Sequence, residues 1–277
     1  MNSKGENIKI AVTSRSFSRN RILRKELLQH YKNVTFNDEG LKLKGNSLIE
    51  FLRGHQKAII ALETIDNDLL KQLPELQVVS KYGVGLDMID IQAMRKHNVE
   101  LAWTGGVNRR SVSELVISFA ISLLRHISAS HREVLEGTWR QHVGGYLSGR
   151  TVGIIGCGYI GKDLVKLLQV FDCQILVNDI KNYDEFYKQY QIKSVDKEEL
   201  LTKSDIVTLH VPLDDSTKNM LTRERLSLMK SDAILINAAR GGLLDEGALK
   251  YMLMNDKLGG AALDVFAIEP PNDKELI

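Results

Sequence analysis

The chain alternates short apolar runs with stretches in which apolar side chains recur at helical spacing. Residues 8–12, 34–36, 58–62, 76–79 and 99–103 are compact apolar runs of the length a buried strand takes. Between them, 18–30 carries apolar residues at 22, 23, 27 and 28, which predicts a helix. Segments 66–73 and 90–97 each open on an aspartate placed to cap a helix N-terminus. Residues 111–130 carry apolar residues at 112, 115, 116, 119, 120, 123, 124 and 127, and Ser111 with Glu114 has capping-box spacing. This predicts one long helix, apolar enough to be buried in a subunit interface. From 131 to 149 the pattern weakens; Trp139, Tyr146 and glycines at 137, 144 and 145 predict an extended arm or loop. Beyond it, strands are predicted at 151–155, 174–178, 205–211, 233–237 and 260–265, and helices at 159–171, 183–190, 197–203, 222–229 and 245–255.

Repeated βα units with strands apolar throughout imply parallel sheets covered on both faces. The predicted class is α/β: a smaller flavodoxin-like domain over residues 1–104, then a Rossmann-type doubly wound parallel sheet over 105–277 that includes the linker helix. Composition excludes several other classes. The apolar fraction of 43% and charged fraction of 26% are those of an ordinary globular chain. A net charge of +2 is too small to argue for nucleic acid or a membrane surface, and neither partner is expected. Every apolar run falls short of the ~20 residues that span a bilayer, and residues 1–7 lack the apolar core of a signal peptide. Cys157 and Cys173 are the only cysteines and neither has metal-type spacing, so no metal and a reducing cytoplasm are expected.

The candidate chemistry begins at Gly156-Cys157-Gly158-Tyr159-Ile160-Gly161, between a predicted strand and a predicted helix, with Asp179 closing the next apolar run. A dinucleotide needs this order of parts. Gly156 permits a tight turn, Gly158 lets backbone approach a pyrophosphate, and the helix N-terminus supplies N–H donors. Gly161 allows helix and strand to pack closely, and Asp179 can accept hydrogen bonds from a ribose diol. If this turn binds a dinucleotide, the neighbouring strand ends face the same crevice. They carry His210-Val211-Pro212, Ala238-Ala239-Arg240-Gly241-Gly242, and Asp264 with Glu269 close behind. Singly, each has a bland reading as a strand-end histidine or a solvated charge; their placement at one sheet edge argues against that for all of them.

These residues, with Lys81-Tyr-Gly-Val-Gly-Leu-Asp87, Asn108 and Ser113-Glu114, resemble the D-isomer-specific 2-hydroxyacid dehydrogenase family, which includes phosphoglycerate dehydrogenase. The resemblance implies NAD as cofactor and hydride transfer between a D-2-hydroxy acid and its 2-keto acid. It implies that Arg240 holds the substrate carboxylate and polarises the keto oxygen, a role that suits a planar, permanently charged fork. Glu269 is implied as the acid that orients a catalytic histidine. Gly83, Val84 and Gly85 would receive the carboxylate on backbone N–H groups, and Asn108 would contact substrate. Gly156, Gly158, Tyr159, Ile160, Gly161, Asp179, His210, Val211, Pro212, Thr217, Ala238, Ala239, Arg240 and Asp264 would hold NAD. Asp179 would repel the 2′-phosphate of NADP, although Lys181 lies nearby. A homodimer through the helix and arm of 111–149 is implied as well.

The sequence also departs from the family. The family's acid–base histidine stands in a Pro-His turn beyond the position of Glu269; the sequence ends at Ile277, and none of its histidines matches. Read as a C-terminally truncated member, it is either a fragment of a longer enzyme or a chain that binds NAD without efficient turnover. The second case is an NAD-sensing protein resembling the family's corepressors, although Arg240 and Glu269 are residues a pure sensor does not need. Adenosylhomocysteinase and formate dehydrogenase share the NAD domain, but the short first domain and the 81–87 loop argue against both. Phosphoglycerate-specific members place an arginine where this chain has Ile60-Ala-Leu-Glu-Thr64, and Arg109 or Arg110 could supply that charge instead.

Overall fold

The computed structural model describes residues 7–276, and the chain divides between Gly105 and Gly106 into two compact units. In the first unit, β1 (Lys9–Val12), β2 (Asn33–Phe36), β3 (Lys57–Ile60), β4 (Val78–Lys81) and β5 (Glu100–Ala102) form one parallel sheet in the order β2-β1-β3-β4-β5. That is the flavodoxin-like order. Leu48, Leu52, Ile60, Ile65, Leu70 and Met94 are fully buried in its core, each worth about 1.5–3 kcal/mol of apolar burial. Asp66 and Asp90 cap α4 (Asn67–Leu70) and α5 (Ile91–Lys96), accepting from the N–H groups of Leu69 and Ala93. Such a cap contributes about 1 kcal/mol.

Four local predictions in this unit need correction. The helix expected over 18–30 is two, α1 (Arg15–Arg19) and α2 (Arg21–His30), because Asn20 is extended and its side chain caps α2 at the N–H groups of Ile22 and Leu23. The strand expected at 76–79 starts two residues later, since the Leu76 N–H closes a turn onto the Leu73 carbonyl. The expected 58–62 strand ends at Ile60. Helix α3 (Asn46–Leu52) was not anticipated; its cap is Gly45, which offers no side-chain bond.

In the second unit, β6 (Thr151–Ile155), β7 (Gln174–Asn178), β8 (Lys193–Ser194), β9 (Ile206–Leu209), β10 (Ile234–Asn237) and β11 (Gly260–Leu263) form a parallel sheet in the order β11-β10-β9-β6-β7-β8. Counted from β6, this is the Rossmann order 3-2-1-4-5-6. β9 and β10 are buried at every position, which is why they read as largely apolar runs, with Thr208 and Asn237 the polar members. β8 has two residues, too few to show a pattern. The 205–211 strand stops at Leu209 and the 260–265 strand at Leu263, so His210, Val211 and Asp264 stand just beyond strand ends.

The helix expected over 111–130 is also two, α6 (Arg109–Leu124) and α7 (Ile127–Leu135), bent by 59°. His126 adopts the left-handed conformation at φ 54°, which ends a helix as a C-cap glycine would. The freed Leu124 carbonyl accepts from the Gly145 N–H of the arm. The Ser111 capping box does not form: α6 has begun at Arg109, and Ser111 Oγ donates to the Asn108 carbonyl. The arm starts after α7 rather than at 131. Among the described residues no single helix is long and apolar enough to cross a membrane.

Candidate functional site

The glycine turn lies between the end of β6 and α8 (Tyr159–Leu168). Gly156 sits at φ +100°, and a Cβ there would lie 2.5 Å from the His210 carbonyl oxygen. Only glycine lets β6 turn this close to the residue following β9. A Cβ on Gly161 would lie 2.2 Å from the Gly156 carbonyl oxygen, so the third glycine seats α8 directly on the turn. Gly158 differs from both: a Cβ there would meet nothing within 4 Å. Its surface is open, directly in front of the N–H groups of the first turn of α8, which have no intrahelical acceptor.

Asp179 follows β7 and is tied to this turn. Its Oδ2 accepts from the Cys157 N–H at 2.6 Å and its Oδ1 from the Lys181 N–H at 2.8 Å. The carboxylate is therefore held in place by backbone before any ligand arrives. Cys157 is completely buried, and burial together with the Asp179 charge pushes its thiol up to about 11. It packs inside the turn.

The next strand ends bring in the other residues. His210 donates its backbone N–H to the Ile155 carbonyl, and its Nε2 lies 3.0 Å from Thr208 Oγ1. Burial pushes the imidazole down to about 4, so it is neutral at pH 7, and its Nδ1 is buried without a hydrogen-bond partner. After β10, the side chain of Asn237 braces the turn, accepting from the Ala239 N–H and donating to the Arg240 carbonyl. Arg240 is half-buried and its Nη1 donates to the Ala239 carbonyl at 2.6 Å. The Asp264 N–H donates to the Asn237 carbonyl, continuing the β10–β11 pairing one step past the strands.

The contact that joins these two ends is at Gly241, where a Cβ would lie 1.9 Å from the Phe266 carbonyl oxygen. The turn bearing Arg240 thus rests backbone to backbone on the 264–269 segment. Within that segment Glu269 Oε1 accepts from the Phe266 N–H at 3.1 Å. Gly241 enters the sequence reading only as a neighbour of Arg240, and Asn237 only as the last residue of the predicted 233–237 strand. The signal for Asn237 was an amide closing a strand of otherwise apolar residues.

The family model of the D-isomer specific 2-hydroxyacid dehydrogenase NAD binding domain matches residues 117–277. The chain belongs to this family. It is 37% identical over 215 residues to D-3-phosphoglycerate dehydrogenase of Bacillus subtilis, a match covering 77% of this chain and 41% of that protein. It is 36% identical over 238 residues to glycerate dehydrogenase of Methylorubrum extorquens, covering 83% and 73%. The chain thus spans less than half of the first relative's length and about three quarters of the second's. Among solved structures, D-lactate dehydrogenase with NAD+ from Lactobacillus jensenii superposes with a TM-score of 0.78 at 26% identity, covering 98% of this chain and 84% of that one.

As a member of this dehydrogenase family the chain takes NAD as cofactor, and its residues fit the group. The unobstructed face of Gly158 is the cradle a pyrophosphate requires, and the backbone-held carboxylate of Asp179 is an acceptor for a ribose diol. Thr217 is used locally: its hydroxyl donates to the Pro212 carbonyl and accepts from the Asp214 N–H, shaping the turn after Pro212. Arg110 pairs with the buried Asp163 at 3.0 Å. Arg109 bonds back to the Gly106 carbonyl. Asn108 precedes α6 with its Oδ1 buried and unpartnered.

Gly83, Val84 and Gly85 belong to the first unit, in the loop after β4. Gly83 sits at φ +130°, and Trp103 Nε1 donates to the Val84 carbonyl at 3.0 Å. Among the described residues the N–H groups of this tripeptide donate to no acceptor.

Proposed function

We propose that this chain supplies the cofactor site and much of the substrate site of an NAD-dependent oxidoreductase that interconverts a D-2-hydroxy acid and its 2-keto acid. The observation that carries this reading is the Gly241–Phe266 contact. It packs the arginine turn against the segment bearing Asp264 and Glu269, at strand ends adjoining a dinucleotide turn.

The glycine turn and Asp179 would hold NAD, which would supply a hydride acceptor for the carbon bearing the hydroxyl and a hydride donor in the reverse direction. Arg240 receives the substrate carboxylate and polarises the keto oxygen through its planar fork. Glu269 has one oxygen held by the Phe266 N–H, which leaves the other to orient the side chain that carries the hydroxyl proton. Asp264 would hold the carboxamide end of the cofactor, and neutral His210 lies behind the glycine turn as part of its wall. Asn108 serves as a further substrate contact. The relatives named above act on different acids, so the family does not choose among them. Exposed apolar side chains on α7 and the arm, Leu135, Trp139, Val143 and Tyr146, support self-association into a dimer.

NADH fluorescence titration and an absorbance screen against 2-keto acids test the reading. Saturable NADH binding is expected, and no saturable signal at millimolar cofactor would overturn the reading; the absorbance screen then measures which 2-keto acids the chain reduces and how fast. Arg240→Lys should depress turnover by about 10²-fold or more while NADH affinity stays within a few-fold. Sedimentation of the wild type against Trp139→Glu tests the dimer.

A further inference from the structure

Residues 264–271 follow β11 in neither helix nor strand, and from Ala267 to Pro271 they are exposed. Glu269 stands in this stretch. A carboxylate that orients another side chain works only from a fixed base, since a misplacement of about 1 Å costs roughly 10²-fold in rate. The bond that Glu269 Oε1 accepts from the Phe266 N–H is internal to the segment and fixes nothing relative to the sheet. From outside it, the Asn237 carbonyl holds the Asp264 N–H, and Gly241 packs on Phe266. Both of these act before Ala267, and Glu269 lies beyond it.

A further hold comes from the helix Glu246–Met254. Its first residue, Glu246, uses its side chain outside the helix: Oε1 accepts from the Ala267 N–H at 2.6 Å, across 21 residues of sequence. A hydrogen bond to an ionised acceptor is roughly twice as strong as a neutral one. The helix behind it is a rigid support. Ala248, Leu249 and Met252 are buried, and the Asp245 N–H donates to the Leu221 carbonyl at 3.1 Å. Glu246 thus grips the chain at Ala267, just ahead of Glu269.

An acidic residue in the first turn of a helix often does no more than complement the helix dipole. Here the neighbouring residue already serves that end: Asp245 caps the helix, its Oδ1 accepting from the Ala248 N–H at 2.9 Å. The two roles also make different demands on the side chain. The dipole responds to charge, whereas the Ala267 N–H responds to an acceptor at the right reach. Glutamine at 246 keeps the acceptor and loses the charge, and alanine loses both. The pair of variants therefore separates the roles.

We propose that Glu246 is a positioning residue of the hydride-transfer site: by holding Ala267 it fixes the base from which Glu269 works. The tether is independent of any reaction, and its catalytic consequence rests on the dehydrogenase reading. Arg240 is held separately, through the contact of Gly241 with Phe266. Loosening Ala267 therefore disturbs Glu269 and leaves the arginine turn in place. The signature is a fall in kcat with little change in KM or cofactor affinity.

Hydrogen–deuterium exchange of the full chain, followed in the peptide covering 264–270, tests the tether without turnover. Glu246→Ala should speed exchange there by about tenfold or more, and Glu246→Gln should stay within about threefold of wild type. Met252→Ala opens a hole beneath the same helix; it should lower the melting temperature and leave exchange at 264–270 near wild type. Exchange unmoved in Glu246→Ala, or equally fast in the alanine and glutamine variants, would overturn the proposal. NADH oxidation by the 2-keto acid that the wild type reduces fastest then tests the consequence. Glu246→Ala should lower kcat by about tenfold or more, with KM and NADH affinity within about threefold, and Glu246→Gln should recover most of the loss. An unchanged kcat, or a fall that glutamine does not relieve, would overturn the positioning role. Lack of saturable NADH binding by the wild type would end the dehydrogenase reading while the exchange result stood.

Discussion

The two units bear parallel sheets of related design, and each presents a crevice where its strand order reverses. They equip that crevice in opposite ways. The second unit uses backbone: a glycine at φ +100°, a helix N-terminus with an unobstructed approach at Gly158, and a carboxylate pinned by two main-chain N–H groups. The first unit uses side chains: two arginines of α1 and a lysine from the loop after β2, beside a buried asparagine. A backbone site depends on shape, so it tolerates few residues at its turns. A side-chain site depends on charge and can be assembled from whichever loop is near. The first is therefore sensitive to a single methyl group and the second to charge and salt.

The largest effect expected from this contrast is at Gly156. Gly156→Ala places a Cβ against the His210 carbonyl at a left-handed φ, and NADH affinity should fall by about 10²-fold or more, as read by fluorescence titration. An affinity within threefold of wild type would remove the backbone argument.

The buried imidazole of His210 gives the next effect. Its folded pKa of about 4 lies below the unfolded value of about 6.5. As pH falls below about 6.5 the unfolded chain takes up the proton first, so stability drops until about pH 4, by up to about 3 kcal/mol. Urea unfolding at stepped pH should show this slope, and His210→Gln should flatten it.

Asp179→Asn removes the charge but keeps an acceptor for the Cys157 N–H. NADH affinity should fall about tenfold, and the preference over NADPH should narrow.

The same contrast explains what the sequence disclosed. Gly156, Gly158, Gly161 and Asp179 are legible because a backbone site restricts residue type at fixed spacing within one βα unit. Strands such as β9 and β10 are legible because both faces are buried. The split at His126 was not, since apolar periodicity runs through the break and a histidine takes the left-handed position usually filled by glycine. The junction of Gly241 with Phe266 and the cation cluster of the first unit were hidden for another reason. Each joins segments far apart in the chain, and nothing in the local pattern of either segment marks the meeting.

The Gly241–Phe266 contact also bears on how this site can be altered. A library that varied the 264–269 segment as an independent insert would disturb the turn that bears Arg240. In this chain that loop and the arginine turn form one moulded piece, with hydrogen at position 241 as the seam. Changes in loop length carry Arg240 with them, so useful variants will keep the backbone path at Phe266 and Ala267 and change only the side chains it displays.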